Sequence, residues 1–116
     1  MHVLENEMLR ETPKSENFDK SLFDTLNDTN LTLDEHKELQ SLCNSLGIEY
    51  LCTPFSADAA DLLDGMGVVA FKTGSGELTN HPLIEHIARK GRPMIISTGM
   101  ARIEEITETV DLVKSI

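Results

Sequence analysis

The residues best placed to do chemistry lie in the run FKTGSGELTN, Phe71 to Asn80. A lysine closes an apolar stretch and is followed by glycines, hydroxyls and a carboxylate. Lysine is among the residues least often buried without a partner, so a cation ending a strand either emerges into water or meets an anion. Gly74 and Gly76 would let the backbone approach a ligand closely and present N–H groups to it, with the Ser75 hydroxyl between them. Glu77 follows, able to accept bonds from hydroxyl groups of a substrate or to exchange a proton with it. A glycine pair of this kind is weak as a motif without its nucleotide context. A flexible loop with a solvated Lys72 and a helix-starting Glu77 stays open beside the anion-site reading.

Two other segments share this character, TPFS from Thr53 and STGM from Ser97, each closing a short apolar run. Side chains alternate along a strand, which puts Thr53 with Leu51, Lys72 with Val68 and Ala70, and Ser97 with Ile95. Tyr50, Phe71 and Ile96 take the opposite face. If that bulky row packs on helices, Thr53, Lys72 and Ser97 project together at one level, and a cation between two hydroxyls suits a carboxylate or phosphate.

The elements that must position these residues read as strand and helix in alternation. Thr32 and Glu35 form a capping box, Leu39, Leu42, Cys43 and Leu46 make an apolar stripe, and Gly47 supplies the stop. IEYLCT then reads as a strand, and Ser56 caps a helix carrying Ala59, Ala60, Leu62, Leu63 and Met66. VVAFKT leads to a helix from about Asn80 to Arg89 with Leu83, Ile84, Ile87 and Ala88 on its buried face. PMIIST leads to a helix from about Arg102 to Lys114 with Ile103, Ile106, Val110 and Val113 on its own. Three βα units in tandem predict an α/β fold with a parallel sheet covered by helices, whose ligands sit beyond the carboxyl ends of the strands. Residues 1–30 form a polar, acidic N-terminal excursion in which Phe18, Leu22, Phe23 and Leu26 suggest a short helix after Ser15.

Composition narrows the partners. The chain has 116 residues and a formal net charge of -10, from 20 acidic against 10 basic side chains. Such a balance repels phosphate backbones and anionic lipid, which argues against nucleic acid and membrane surfaces. No apolar run approaches the ~20 residues of a membrane span, and the acidic start does not read as a signal peptide. A cytoplasmic location is the expectation. Cys43 and Cys52 lack the spacing of a zinc or redox pair and read as reduced thiols.

Other candidates have plainer readings. His81 and His86 are five residues apart and spread around a helix, and His36 stands alone, so surface or capping roles are expected for all three. His2 falls in the acidic start. Arg89 and Lys90 suit a helix C-terminus closed by Gly91, and Glu104, Glu105 and Glu108 suit the solvated first turns of the last helix. No nucleophilic triad stands out.

The run from Thr53 to Met100, with TPFS, FK-x-GSGE-x-TN and STGM in order, resembles the sialic acid synthase family. That family includes N-acetylneuraminate, legionaminate and spore-coat polysaccharide synthases, and the likeness covers about residues 31–113. The resemblance implies a phosphoenolpyruvate-dependent, carbon–carbon bond-forming transferase that joins phosphoenolpyruvate to N-acetylmannosamine or a related amino sugar. The products are a nonulosonic acid and phosphate. It implies a (β/α)8 TIM barrel, of which residues 31–116 would supply about three units, strands three to five, as a partial synthase domain. Carried over residue by residue, Thr53, Lys72, Ser75 and Ser97 match phosphoenolpyruvate-contacting positions, and Glu77 matches one facing the acceptor sugar. Lys72 and Glu77 are the catalytic candidates. The implied cofactor is a divalent metal, Mn or Mg, whose ligands are not among these residues.

The chain departs from the family pattern at Arg102, where a Thr or Ser usually caps the next helix, and it lacks the other barrel strands and the metal-binding histidines. The isolated chain is therefore expected to be inactive. Two other readings stay open: a non-catalytic α/β module that binds an anionic metabolite and self-associates as a homo-oligomer through its sheet edges, or a truncated reading frame.

Overall fold

The computed structural model describes residues 22–116. Ser15, Phe18 and His2 lie outside the described residues. The first described element is α1, Leu22–Asp28. Next comes α2, Leu33–Leu46, which starts at the expected capping box: the Thr32 hydroxyl accepts from the Glu35 N–H at 3.3 Å, and the Glu35 carboxylate accepts from the Thr32 N–H at 2.7 Å. Gly47 ends the helix with φ 70°, a left-handed conformation that glycine adopts without a Cβ penalty. The helix α3, Ala57–Gly65, is capped by Ser56, whose hydroxyl accepts from the Ala59 N–H.

Two strands follow, β1 at Phe71–Thr73 and β2 at Met94–Ile96, paired parallel with Phe71 opposite Met94 and Lys72 opposite Ile95. The helix α4, His81–Ala88, connects them, and α5, Ile103–Lys114, follows β2. A strand–helix–strand–helix order around a parallel pair is an α/β arrangement, as the alternation predicts. The core gathers Phe71 of β1 with Ala60 and Leu63 of α3, Leu83 and Ile87 of α4, and Val68. Tyr50, Cys52, Met66 and Met94 pack against it. Burying each large apolar side chain stabilises the fold by about 1.5–3 kcal/mol, so this cluster is what fixes α3 and α4 on one face of β1.

Several expectations are corrected. The run IEYLCT is not a strand: residues 48–53 form no ladder, and two βα units are described instead of three. An apolar run becomes a strand only where a neighbour pairs with its backbone, and here Tyr50 and Cys52 pack by side chain alone. Leu39, Leu42 and Leu46 do not form a buried stripe. Leu42 and Leu46 are 54% and 65% exposed, and α2 buries His36 instead. Helical periodicity identifies an apolar face but not whether a partner covers it. Leu62 and Ile103 are also exposed, and Met66 follows α3 as its cap. Val68 lies in the core beside Phe71, and not with Lys72, because strand alternation begins only at Phe71.

The last helix starts where expected despite Arg102. An arginine has no acceptor for the backbone of the first turn, but the Glu105 carboxylate accepts from the Arg102 N–H at 2.8 Å, which supplies one side of a cap. That bond holds the Glu105 carboxyl below the usual carboxylate range.

Candidate functional site

The site is built at the carboxyl end of the two strands. In β1, Phe71 and Thr73 are fully buried toward the helices, so Lys72 between them points to the opposite face. Ile95, its partner in β2, is 48% exposed, which shows that this face of the sheet is open. Ser97 lies two residues beyond Ile95 and therefore on the same side. The register brings them together: Lys72 Nζ donates to Ser97 Oγ at 3.0 Å and to its neighbour's carbonyl, Thr73 O, at 3.4 Å.

Lys37, Arg89, Lys90, Arg92 and Arg102 each have a carboxylate partner. Among the described residues Lys72 has none within ion-pair distance, although it is partly buried. A half-buried ammonium held by a hydroxyl and a carbonyl keeps donor capacity for an anion, since it carries three protons.

After β1 the chain tightens into a single 3-10 turn, Ser75–Glu77. Glu77 is partly exposed, and its carboxylate accepts from Asn80 Nδ2 at 2.8 Å. Asn80 in turn caps α4, its Oδ1 accepting from the Leu83 N–H at 3.4 Å. The carboxylate arm is thereby tied to a helix start. Gly74 has φ -67° and ψ 154°, open to any residue, so its glycine serves closeness and not conformation. A methyl group there would come within 3.3 Å of Phe55 Cε1. The TPFS and GSGE segments thus touch.

Of the five site residues expected from sequence, Lys72 and Ser97 are joined directly. Glu77 and Ser75 stand on the turn after Lys72, and Thr53 is partly buried. Neither Thr53 nor Ser75 hydrogen-bonds to Lys72 or Ser97. Asn80 and Phe55 belong to the neighbourhood and were not among the expected residues. The signal for Asn80 was its spacing, three residues after Glu77 at a helix start, whereas nothing in TPFS marks Phe55 as lying against the glycine loop.

His86 and His36 each meet a partner within the fold. His86 Nε2 is 2.7 Å from Asp61 Oδ1, which Lys90 also contacts, linking α4 to α3, and Arg92 Nε donates to Asp64 Oδ1 at 2.7 Å. His36 is buried, contrary to the surface role expected of it, because its ring meets the Tyr50 hydroxyl in the core's margin. Both cysteines are free and partly buried. Among the described residues no three His, Cys, Asp or Glu side chains are grouped to hold a metal ion, so the implied divalent metal does not fit the residues present. No helix among the described residues is long and apolar enough to cross a membrane.

The fold is an α/β arrangement with a parallel strand pair, and the Lys72 ammonium stands at its strand end beside Ser97. The sequence matches the NeuB family over residues 2–116, and the chain belongs to that family. It is 41% identical over 92 residues to an N,N'-diacetyllegionaminic acid synthase of Legionella pneumophila, covering 79% of this chain and 26% of that protein. A spore coat polysaccharide biosynthesis protein E from Chromobacterium violaceum superposes with a TM-score of 0.75 at 31% identity, over 80% of this chain and 28% of the other. The N-acetylneuraminic acid synthetase of Leptospira borgpetersenii, solved with citrate, gives 0.76 at 26% identity, over 86% and 36%. The chain spans about a quarter of the length of the curated relatives it matches.

Proposed function

We propose that residues 31–116 are part of the (β/α)8 barrel of a synthase that condenses phosphoenolpyruvate with N-acetylmannosamine or a related amino sugar, in the cytoplasm. The observation that carries this reading is the partly buried Lys72 ammonium, held by Ser97 and without a carboxylate partner among the described residues. In this reading Lys72 offsets the charge of phosphoenolpyruvate, the hydroxyls of Ser97, Ser75 and Thr53 fix its orientation, and its C3 faces the aldehyde carbon of the open-chain sugar. Glu77 lies on the acceptor side, held by Asn80, where it accepts bonds from sugar hydroxyls. A divalent metal would polarise the aldehyde, and its ligands would come from elsewhere in the full barrel.

The fit of the likeness with the geometry supports this assignment: FKTGSGE falls on the end of β1 and the turn after it, STGM follows β2, and TPFS lies against that turn through Phe55. Calorimetric titration of the chain with phosphoenolpyruvate tests it. Binding is expected, with Lys72→Ala lowering affinity on the order of 10- to 100-fold, the range of a lost charge-assisted hydrogen bond. No heat with the unaltered chain, or the same heat after Lys72→Ala, would overturn the reading. The isolated chain is expected to show no turnover with phosphoenolpyruvate, amino sugar and Mn²⁺.

A further inference from the structure

Phe55 is exposed where its neighbours are not. Pro54 before it is fully buried and Ser56 after it caps α3, yet Phe55 is 54% exposed. Its position is nevertheless defined, because its Cε1 and Cζ lie 3.3 and 3.7 Å from the point where a Gly74 side chain would begin. Glu77 Cγ lies 3.9 Å from the same point. The ring edge and the carboxylate arm therefore both approach the side-chain face of Gly74, at the start of the turn that follows Lys72.

An aromatic ring beside a fixed carboxylate has a specific complement. The face of an aromatic ring is electron-rich and attracts polarised C–H groups, while a carboxylate accepts hydrogen bonds only. A sugar offers both along one side: a patch of ring C–H groups bordered by hydroxyls. With its edge held against Gly74, the open surface of Phe55 is left to its faces and far edge.

We propose that Phe55 is an acceptor-side residue of this site, seating the C–H surface of the sugar while Glu77 takes its hydroxyls. This assignment rests on the reading that the acceptor sugar lies on the Glu77 side of Lys72. It also fits Gly74, since a side chain there would crowd the Phe55 ring at 3.3 Å.

The test is an NMR titration of the ¹⁵N-labelled chain with N-acetylmannosamine and, separately, with phosphoenolpyruvate. The sugar is expected to shift the amide signals of Gly74, Gly76 and Glu77. Phe55→Leu keeps apolar bulk on Gly74 but removes the aromatic face, and it is expected to weaken that response roughly two- to tenfold, whereas Phe55→Tyr preserves it. Sugar shifts unchanged in Phe55→Leu, or no sugar shifts at millimolar concentration, would overturn the assignment. The two readings separate cleanly. A Lys72-dependent phosphoenolpyruvate response with a Phe55-independent sugar response removes the Phe55 role alone. A Phe55-dependent sugar response with no phosphoenolpyruvate response keeps it and removes the anion site.

Discussion

His36 Nδ1 and the Tyr50 hydroxyl lie 2.5 Å apart, joining α2 to the segment that follows it, with the two rings edge to face. The other ring nitrogen, His36 Nε2, is buried without a partner. Burial lowers the His36 pKa, and burial together with the nearby Cys52 raises that of Tyr50 to about 12. The two shifts act at opposite ends of the pH scale. A depressed histidine gives stability that is full above its unfolded value of about 6.5 and is lost as pH falls through the folded value. A raised tyrosine gives stability present below about 10 and lost as pH rises through the folded value. Urea midpoints are therefore expected to be flat near neutrality and to fall on both sides. His36→Phe should weaken the acid limb. Tyr50→Phe should cost about 1–3 kcal/mol at neutral pH by leaving Nδ1 unsatisfied.

The Asn80 side chain serves two masters, the Leu83 N–H and the Glu77 carboxylate. Asn80→Ala is expected to destabilise the chain by about 0.5–2 kcal/mol through the lost cap. Asn80→Ser keeps a capping oxygen and releases Glu77, so thermal stability should recover while sugar-induced shifts at Glu77 weaken. Equal sugar responses in Asn80→Ser and the unaltered chain would show that Glu77 needs no anchor.

Asp61 is held below the usual carboxylate range first by its bond from Lys90 and then by that from His86. Its stabilising effect is present above the unfolded carboxylate value and is lost as pH falls through the lowered one. Asp61 is solvent-exposed, so screening limits the effect. Asp61→Asn is expected to lower the urea midpoint slightly in low salt and not at all in 1 M salt, where the Debye length shrinks to about 3 Å.

Phe71 and Leu63 are both fully buried in the shared cluster. Truncating either should be far more costly than any surface change: Phe71→Ala about 3–5 kcal/mol and Leu63→Ala about 2–5 kcal/mol. For so small a core this is expected to abolish cooperative thermal unfolding, as followed by circular dichroism.

Local chemistry was the legible part of the sequence. The Thr32–Glu35 box, the Ser56 cap, the α4 face of Leu83, Ile84 and Ile87, and the Lys72–Ser97 juxtaposition all depend on spacing within an element or on strand alternation. What depended on a neighbour was not legible. IEYLCT has strand composition but no pairing partner, and Leu42 and Leu46 have helical spacing but no covering surface. His36 was misplaced for the same reason, since only the approach of Tyr50 makes its burial tolerable. Phe55 could not be placed at all, because it lies against a backbone about twenty residues away in sequence, at a glycine whose missing side chain leaves room for the ring.

Thr109 is the buried residue of α5, and its hydroxyl donates to the Leu78 carbonyl at 2.9 Å. Leu78 is the residue immediately after Glu77, where the 3-10 turn ends. The carboxylate arm is thus anchored from two directions, by Asn80 ahead of it and by a helix that belongs to the following strand. A small rotation of α5 would be transmitted through that one bond to the turn. The final helix in this sense bears on the loop, one residue from Glu77.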